Sequence, residues 1–397
     1  MVSTVYITKN VYGGDGLGRL GDGRVIFVPG AFAQEQVKAE IIDEKRKFVR
    51  GRLVEVVVPS PFRIAEKRPS VPGMVYAQLS YNAELLAKEE QLKDFFIRAR
   101  LPFNLLPGPR HVGLETNYRN KVVYHFAVSG RAVLIGYQKE SSHEIIDMPY
   151  DILARNEINA ELPKIRDTLT ALLTTGPVSV RKDIERKGVL TVRWSRKSGV
   201  KWYVGDIDAD SVIKETTCKL DFEVPSGGFY QINPEVADQL AKTLQEAFSE
   251  TGLKKIADLY CGVGVLGLVV AKNASARLVG IESGRKAVAF AKTNASRLGV
   301  GDAVFYAGEV RSLLKKAQIG PDTAVVVDPP RGGLEKGVSE RLRDSAAPYI
   351  FYISCDPATL VRDLRVLAAS YEVASVKWFN MFPRTARFET FVVLKKK

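Results

Sequence analysis

From about residue 227 to its end, the chain alternates strictly between helical and strand-like segments, and this constrains the fold more than any other feature. Continuous apolar runs, KIADLY, RLVGIE, AVFYAG, TAVVVD and YIFYIS, are mostly separated by helical stretches. Two more, VASVKWF and TFVVLKK, follow as a close pair with no helix between them. A strand that is apolar throughout has no face left for water, so it must be covered on both sides; helices between consecutive strands supply that cover. Residues 227–397 therefore read as α/β, a Rossmann-like, doubly wound sheet of seven strands. The first helix, PEVADQLAKTLQEAF, spaces Val236, Leu240, Leu244 and Phe248 four apart, with Gly252 placed to end it.

The chain before residue 227 has a different texture. Residues 1–58 read as a small β-barrel: glycines at 13, 14, 16, 18, 21 and 23 precede short strand-like runs, and Val37, Ala39 and Ile41 alternate with Gln36, Lys38 and Glu40. Pro59, Pro61, Pro69 and Pro72 then mark a linker. An amphipathic helix is predicted over 82–100, placed to pack on the C-terminal domain. The rest of 59–226 reads as a central α+β domain, with strand-like runs KVVYHFAVSG, RAVLIGYQ, GVLTVRW and KWYVGDI and one helix near 155–173.

Charge narrows the class of partner. The chain carries 58 Lys and Arg against 45 Asp and Glu, a net +13, and such a field attracts polyanions, of which nucleic acid is the commonest large one. Lys45, Arg46, Lys47, Arg50 and Arg52 lie between the strands of the N-terminal module. In the central domain Arg181, Lys182, Arg186, Lys187, Arg193, Arg196, Lys197 and Lys201 alternate with Trp194, Trp202 and Tyr203. Cations beside aromatic rings suit phosphate contact with base stacking; a solvated hairpin face and core aromatics are the plainer readings.

The three cysteines (Cys218, Cys261, Cys355) contain no C-x-x-C pair, and His111, His125 and His143 stand 14 and 18 residues apart. A disulfide framework is thereby excluded and a conventional metal site disfavoured. Without a signal-like N-terminus or a long apolar run, the sequence predicts a cytoplasmic protein with no membrane segment, working as a monomer.

In DLYCGVGVLG an apolar strand ends at Tyr260, and Gly262 and Gly264 make the turn into a helix. Glycine serves where the backbone turns tightly and a ligand approaches closely, although dinucleotide-binding enzymes share this pattern. Glu282 ends the next strand, where a carboxylate holds ribose hydroxyls, and Glu309 follows the third strand, near an adenine edge. Asp328, in VVVDPPRGG, sits at the carboxyl end of the fourth strand, where open sheets bind ligands. Cys355 follows the fifth strand in SCDP, beside a helix start whose dipole favours thiolate. An inert core cysteine is the alternative. Glu389 precedes the last strand; a surface ion pair with Arg384 or Arg387 is its plainer reading.

Taken together, FYQIN (229–233), DLYCGVG (258–264), VDPPRGG (327–333), SCDPATLVRDL (354–364) and FPRTARFET (382–390) resemble the uracil-5 RNA methyltransferases. YRNK (118–121) and DGRVIFVPGA extend the likeness, the latter resembling that family's TRAM module, so it spans nearly the whole chain. The resemblance implies a class I methyltransferase fold with S-adenosylmethionine as cofactor. It implies Cys355 as a nucleophile toward uracil C6 and Glu389 as the base that removes the C5 proton. Gln231, Tyr260, Glu282, Glu309 and Asp328 fall on positions around cofactor and target base. The implied partner is RNA, ribosomal first and transfer RNA second.

Two departures stand out. Many relatives hold an iron–sulfur cluster through cysteines after the TRAM module; here Ala65, Val71 and Met74 occupy such places and no cysteine lies near Tyr150, so no cluster is predicted. Arg387 stands where a histidine usually precedes the catalytic glutamate. Cytosine-5 methylation is a rival chemistry, but DPPRGG lacks the second cysteine that several such enzymes use. An RNA-binding factor that no longer turns over is the rival from outside enzymology.

Overall fold

In the computed structural model, residues 1–107, 112–130, 132–139, 142–205 and 211–397 are described. They form two compact units, Met1–Phe103 with Phe382–Phe388, and Asn104–Met381 with Glu389–Lys397. His111, Arg131, Asp206 and Ile207, and the side chains of Arg186 and Lys187, lie outside the described residues.

In the first unit, β1 (Val2–Asn10), β2 (Gly16–Arg19), β3 (Val25–Val28), β4 (Gln36–Glu44) and β5 (Phe48–Val58) close into a barrel in the order β1-β2-β3-β5-β4. Val37 and Ala39 point inward with Val5, Ile7, Ile26, Val28 and Val49, as the two-residue alternation requires. The proline-rich stretch is not a loose tether. Arg63 donates to the buried Glu35 (Nη2 to Oε2, 2.9 Å), and Phe32, Tyr76 and Leu79 make a small apolar cluster beyond it. Helix α1 (Tyr81–Ala99) follows. On it Glu84 and Lys88 are fully buried and bonded (Oε1 to Nζ, 2.8 Å). Arg384 donates its backbone N–H to Glu84 Oε1 (2.9 Å) and Nη1 to the Leu79 carbonyl (2.7 Å). These buried bonds explain why Phe382–Phe388 belongs to this unit although it is remote in sequence. The compact units are thus drawn differently from the segments 1–58, 59–226 and 227–397: α1 groups with the barrel, and the chain from Asn104 groups with the C-terminal sheet.

In the second unit, β6 (Lys121–Ser129), β7 (Ala132–Gln138), β8 (Ile145–Asp147), β9 (Val189–Ser195) and β10 (Gly199–Val204) form an antiparallel sheet in the order β10-β9-β6-β7-β8. Helices α2 (Asn156–Thr174) and α3 (Val178–Lys187) lie between β8 and β9 in sequence. Ile158, Leu162, Ile165 and Leu169 of α2 share a core with Val122, Tyr124, Leu190 and Val192 of the sheet. A hairpin, β11 (Val212–Thr217) with β12 (Leu220–Pro225), leads to α4 (Pro234–Glu250), whose Asn233 cap accepts from Val236 N.

The remaining elements are β13 (Lys255–Leu259), α5 (Val265–Ala274), β14 (Arg277–Glu282), α6 (Arg285–Arg297), β15 (Ala303–Ala307), α7 (Val310–Leu313) and β16 (Thr323–Val327). After these come α8 (Val338–Arg343), β17 (Tyr349–Ser354), α9 (Pro357–Leu367), β18 (Tyr371–Phe379) and β19 (Glu389–Lys396). Their seven strands are ordered β15-β14-β13-β16-β17-β19-β18, parallel except for β19, which is antiparallel to both of its neighbours. This is the class I methyltransferase sheet that the terminal close pair foretold. Among the described residues no helix is long and apolar enough to cross a membrane.

Candidate active site

The strand order reverses at β13, where β14 lies on one side and β16 on the other, so their carboxyl ends open a crevice. The turn leaving β13 is strained. Tyr260 has φ +67°, a left-handed conformation uncommon for a residue with a β-carbon. Gly264 (φ +87°) begins α5, and a β-carbon there would come within 2.9 Å of Leu268. Gly262 (φ +54°) differs, since a β-carbon on it would meet nothing within 4 Å. Its bare backbone therefore faces open space, while Gly264 serves packing. The Gly262 N–H donates to Glu282 Oε2 (3.2 Å), and Gly284 N–H and Ser283 Oγ hold Oε1 (2.7 and 3.0 Å). Glu282 is thus fixed at the mouth of the turn.

A cleft of about 570 Å³, open to solvent, runs along this edge. Gln231, Tyr260, Gly262 and Asp328 line it together. Gly264, Glu282, Glu309, Cys355 and Glu389 are not in its wall. Glu309 is exposed just before α7, one residue after Gly308, whose N–H donates to the Glu282 carbonyl (2.9 Å). The wall also includes Asp258, Phe229 and Tyr230, which motif reading passed over. Asp258 stood first in DLYCGVG but is buried at 1% exposure; Gly267 N–H donates to its Oδ2 (2.9 Å), while Oδ1 has no hydrogen-bond partner among the described residues. Burial, together with repulsion from Asp328 and Glu282, pushes its carboxyl up to about 7. Burial likewise pushes Asp328 up to about 7.

Those features fit S-adenosylmethionine, the cofactor that goes with this fold. An unpartnered buried carboxylate oxygen and a second carboxylate nearby suit a ligand bearing a sulfonium and an ammonium group. The open backbone at Gly262 admits close approach.

Other residues singled out in the sequence converge one strand further along. β16 and β17 run parallel with Val327 opposite Tyr352, so Asp328 and Cys355 leave the same edge of the sheet. On the other side Ser354 pairs with Thr390, and one further step of that antiparallel register sets Cys355 opposite Glu389. The DPPRGG loop is fastened to α9: Thr359 Oγ1 donates to the Arg331 carbonyl (3.2 Å), Arg362 Nη2 to the Gly332 carbonyl (3.0 Å), and Leu334 N–H to Asp363 Oδ2 (2.8 Å).

Electrostatics correct one expectation. The Cys355 thiol is not lowered by the start of α9; it is pushed up to about 12 by burial and then by the carboxylates Glu389 and Asp328, against Arg331. At the start of α9, Asp356 caps the free donors, accepting from Ala358 and Thr359 N–H (3.0 and 3.2 Å), and its carboxylate also raises the thiol. Glu389 is 4% exposed, with Oε2 unpartnered among the described residues, and burial raises its carboxyl well above the usual range. A surface ion pair is thereby excluded. Arg331 is the cation that acts on both Cys355 and Glu389.

The cationic surfaces also need correcting. Arg193, read with the phosphate-contacting cluster, is 1% exposed and paired with Glu215, so it offers nothing to solvent. Trp194 and Trp202 pack on the central core, with Arg155 stacked over Trp194 at 4.5 Å. Lys182, Arg196, Lys197 and Lys201 remain exposed. On the barrel, Lys45, Arg50 and Arg52 each pair with an acidic neighbour, Asp43, Asp15 and Glu40. Exposed pairs of this kind are weak enough to yield to phosphate.

With the geometry in hand, known proteins add context. Residues 314–397 match the family described as tRNA (Uracil-5-)-methyltransferase, residues 233–347 the methyltransferase small domain, and residues 2–54 the TRAM domain. A protein of Thermosynechococcus vestitus named as an uncharacterized RNA methyltransferase is 29% identical, covering 96% of this chain and 95% of its own. One of the same description from Bacillus cereus is 29% identical over 94% and 92%. The structure of Pyrococcus abyssi tRNA (uracil-54, C5)-methyltransferase in complex with S-adenosyl-L-homocysteine covers 98% of this chain and 100% of its own. Its TM-score is 0.74 at 21% identity, a likeness of fold.

Proposed function

We propose that this chain is an S-adenosylmethionine-dependent RNA methyltransferase of the uracil-5 type, a reading supported by the matches above, and that Cys355 and Glu389 carry the transfer of a methyl group to C5 of one uridine. The observation that carries this reading is the register of β17 against β19, with Asp328 leaving the neighbouring strand end.

Uracil C5 is too weakly nucleophilic to react unaided. Attack of Cys355 Sγ on C6 turns C5 into the nucleophilic carbon of an enolate. S-adenosylmethionine supplies an electrophilic methyl group. Once C5 is methylated it bears one proton too many; Glu389 takes that proton, and the electron pair expels Cys355 from C6. A carboxylate raised by burial is a stronger base than an exposed one, which suits this step. The target must leave its stack, because C5 and C6 have to lie about 3–3.5 Å from the groups they react with.

Ribosomal RNA is the substrate class we favour, on the TRAM barrel and the net charge of +13. Transfer RNA is the second reading, favoured by the family description over residues 314–397. The test is release of tritium from C5 of labelled uridine in unmodified ribosomal and transfer RNA transcripts. Release that requires S-adenosylmethionine supports the chemistry, and the transcript that releases it names the class. Methyl transfer to RNA without tritium release from uridine would overturn the uracil-5 assignment.

A further inference from the structure

The central sheet holds a buried charge for which methyl transfer has no use. Arg193 on β9 donates Nε and Nη2 to Glu215 Oε1 on β11 (3.1 and 2.9 Å). Its Nη1 reaches the carbonyl oxygens of Ser226 (3.3 Å) and Gly228 (3.2 Å), and its guanidinium lies 5.9 Å from the Tyr230 ring. Both side chains are buried, at 1% and 4% exposure. An ion pair so enclosed adds little to stability, since loss of hydration offsets the attraction. What Arg193 adds is a pair of hydrogen bonds to two carbonyls of an irregular segment.

That segment, Ser226–Gln231, runs between β12 and α4 without helix or strand; backbone bonds serve the N–H groups of Ser226 and Gly228, while side chains reach several of its carbonyls. Tyr203 Oη also donates to the Ser226 carbonyl (3.4 Å), and Asn120 Nδ2 donates to that of Gln231 (3.2 Å). Its front carries Phe229, Tyr230 and Gln231, three residues of the cleft wall. We propose that Arg193, oriented by Glu215, is a positioning residue that sets this strap as one wall of the cofactor cleft. The inference rests on reading that cleft as the S-adenosylmethionine site. A lysine has no planar fork with which to hold one carboxylate and two carbonyls at once.

The test compares full-length wild type, Arg193→Lys, and the double variant Arg193→Met with Glu215→Leu. S-adenosylhomocysteine affinity is read by titration calorimetry and folding by the thermal midpoint. Arg193→Lys keeps a cation beside Glu215, and the double variant replaces the pair with apolar groups, so both retain the fold. The expected result is a midpoint near that of wild type with S-adenosylhomocysteine bound roughly 10-fold or more weakly by both variants, the effect of a displaced wall. Folded variants that bind S-adenosylhomocysteine as tightly as wild type would overturn the proposal. A wild-type protein that fails to bind it would instead overturn the reading of the cleft, and this inference with it.

Discussion

Ser354 and Thr390 are partners on the last rung between β17 and β19, so that Cys355 and Glu389 face each other where the two strands leave the sheet. In the mechanism proposed above the two residues divide the chemistry between them, and separate variants test that division. Cys355→Ala is expected to lower turnover by roughly 10⁴-fold or more while S-adenosylhomocysteine still binds. Glu389→Gln should instead accumulate a covalent RNA–protein adduct, visible as a band of reduced mobility on a denaturing gel. Normal turnover by Glu389→Gln would remove Glu389 from the mechanism.

The pH dependence follows from two raised acids. In the proposed mechanism Cys355 loses its proton to attack and Glu389 is ionised to accept one, and burial raises both. The single-turnover rate should therefore keep climbing with pH well beyond the ordinary carboxylate range rather than level off near it. Arg331 lowers both groups, so Arg331→Gln should move the profile to higher pH. A rate that is flat beyond the ordinary carboxylate range would refute the assignment.

Asp258 links the cleft to stability. Its carboxyl moves from the ordinary 3.8 to about 7 on folding, so the folded form holds the proton more tightly. Stability from this group is complete below 3.8 and is lost as pH rises through about 7, an effect on the order of a few kcal/mol. Wild-type thermal midpoints should fall over that window, and Asp258→Asn should flatten the fall. An identical slope in the variant would show that Asp258 ionises normally.

The segment after the barrel is organised by packing. Val71 is buried with its N–H directed at Met74 Sδ (3.4 Å), and Tyr76 and Leu79 close on Phe32. Treatment with a chelator should leave the thermal midpoint unchanged, and purified protein should lack the visible absorption of an iron–sulfur cluster. Bound iron in stoichiometric amount would contradict this.

Much of the catalytic domain was legible in sequence because its signals are local. Apolar strands between amphipathic helices dictate a doubly wound sheet, and the residues just past β13, β14, β16 and β17 fall at its ligand-binding edge whatever the details of packing. Tyr260, Glu282, Asp328 and Cys355 could thus be named from their place at strand ends. Burial and partnership were not local. Arg193 looks like any surface cation in a basic stretch until β9 places it against Glu215, and Asp258 looks like a strand residue until the cleft opens beside its unpartnered oxygen.

In the C-terminal domain, sequence alone settled which seven strands form and in what order their ends carry chemical groups, because side-chain periodicity fixes which faces must be buried; β8, the β11–β12 hairpin and α3 carried no such signal. Tertiary structure alone decided which charges are hidden, which carbonyls Arg193 holds, and that the Cys355 thiol is raised rather than lowered. Those outcomes depend on distances between residues remote in the chain and on the water excluded between them, and a carboxylate's effect on a thiol cannot be read until both occupy one pocket.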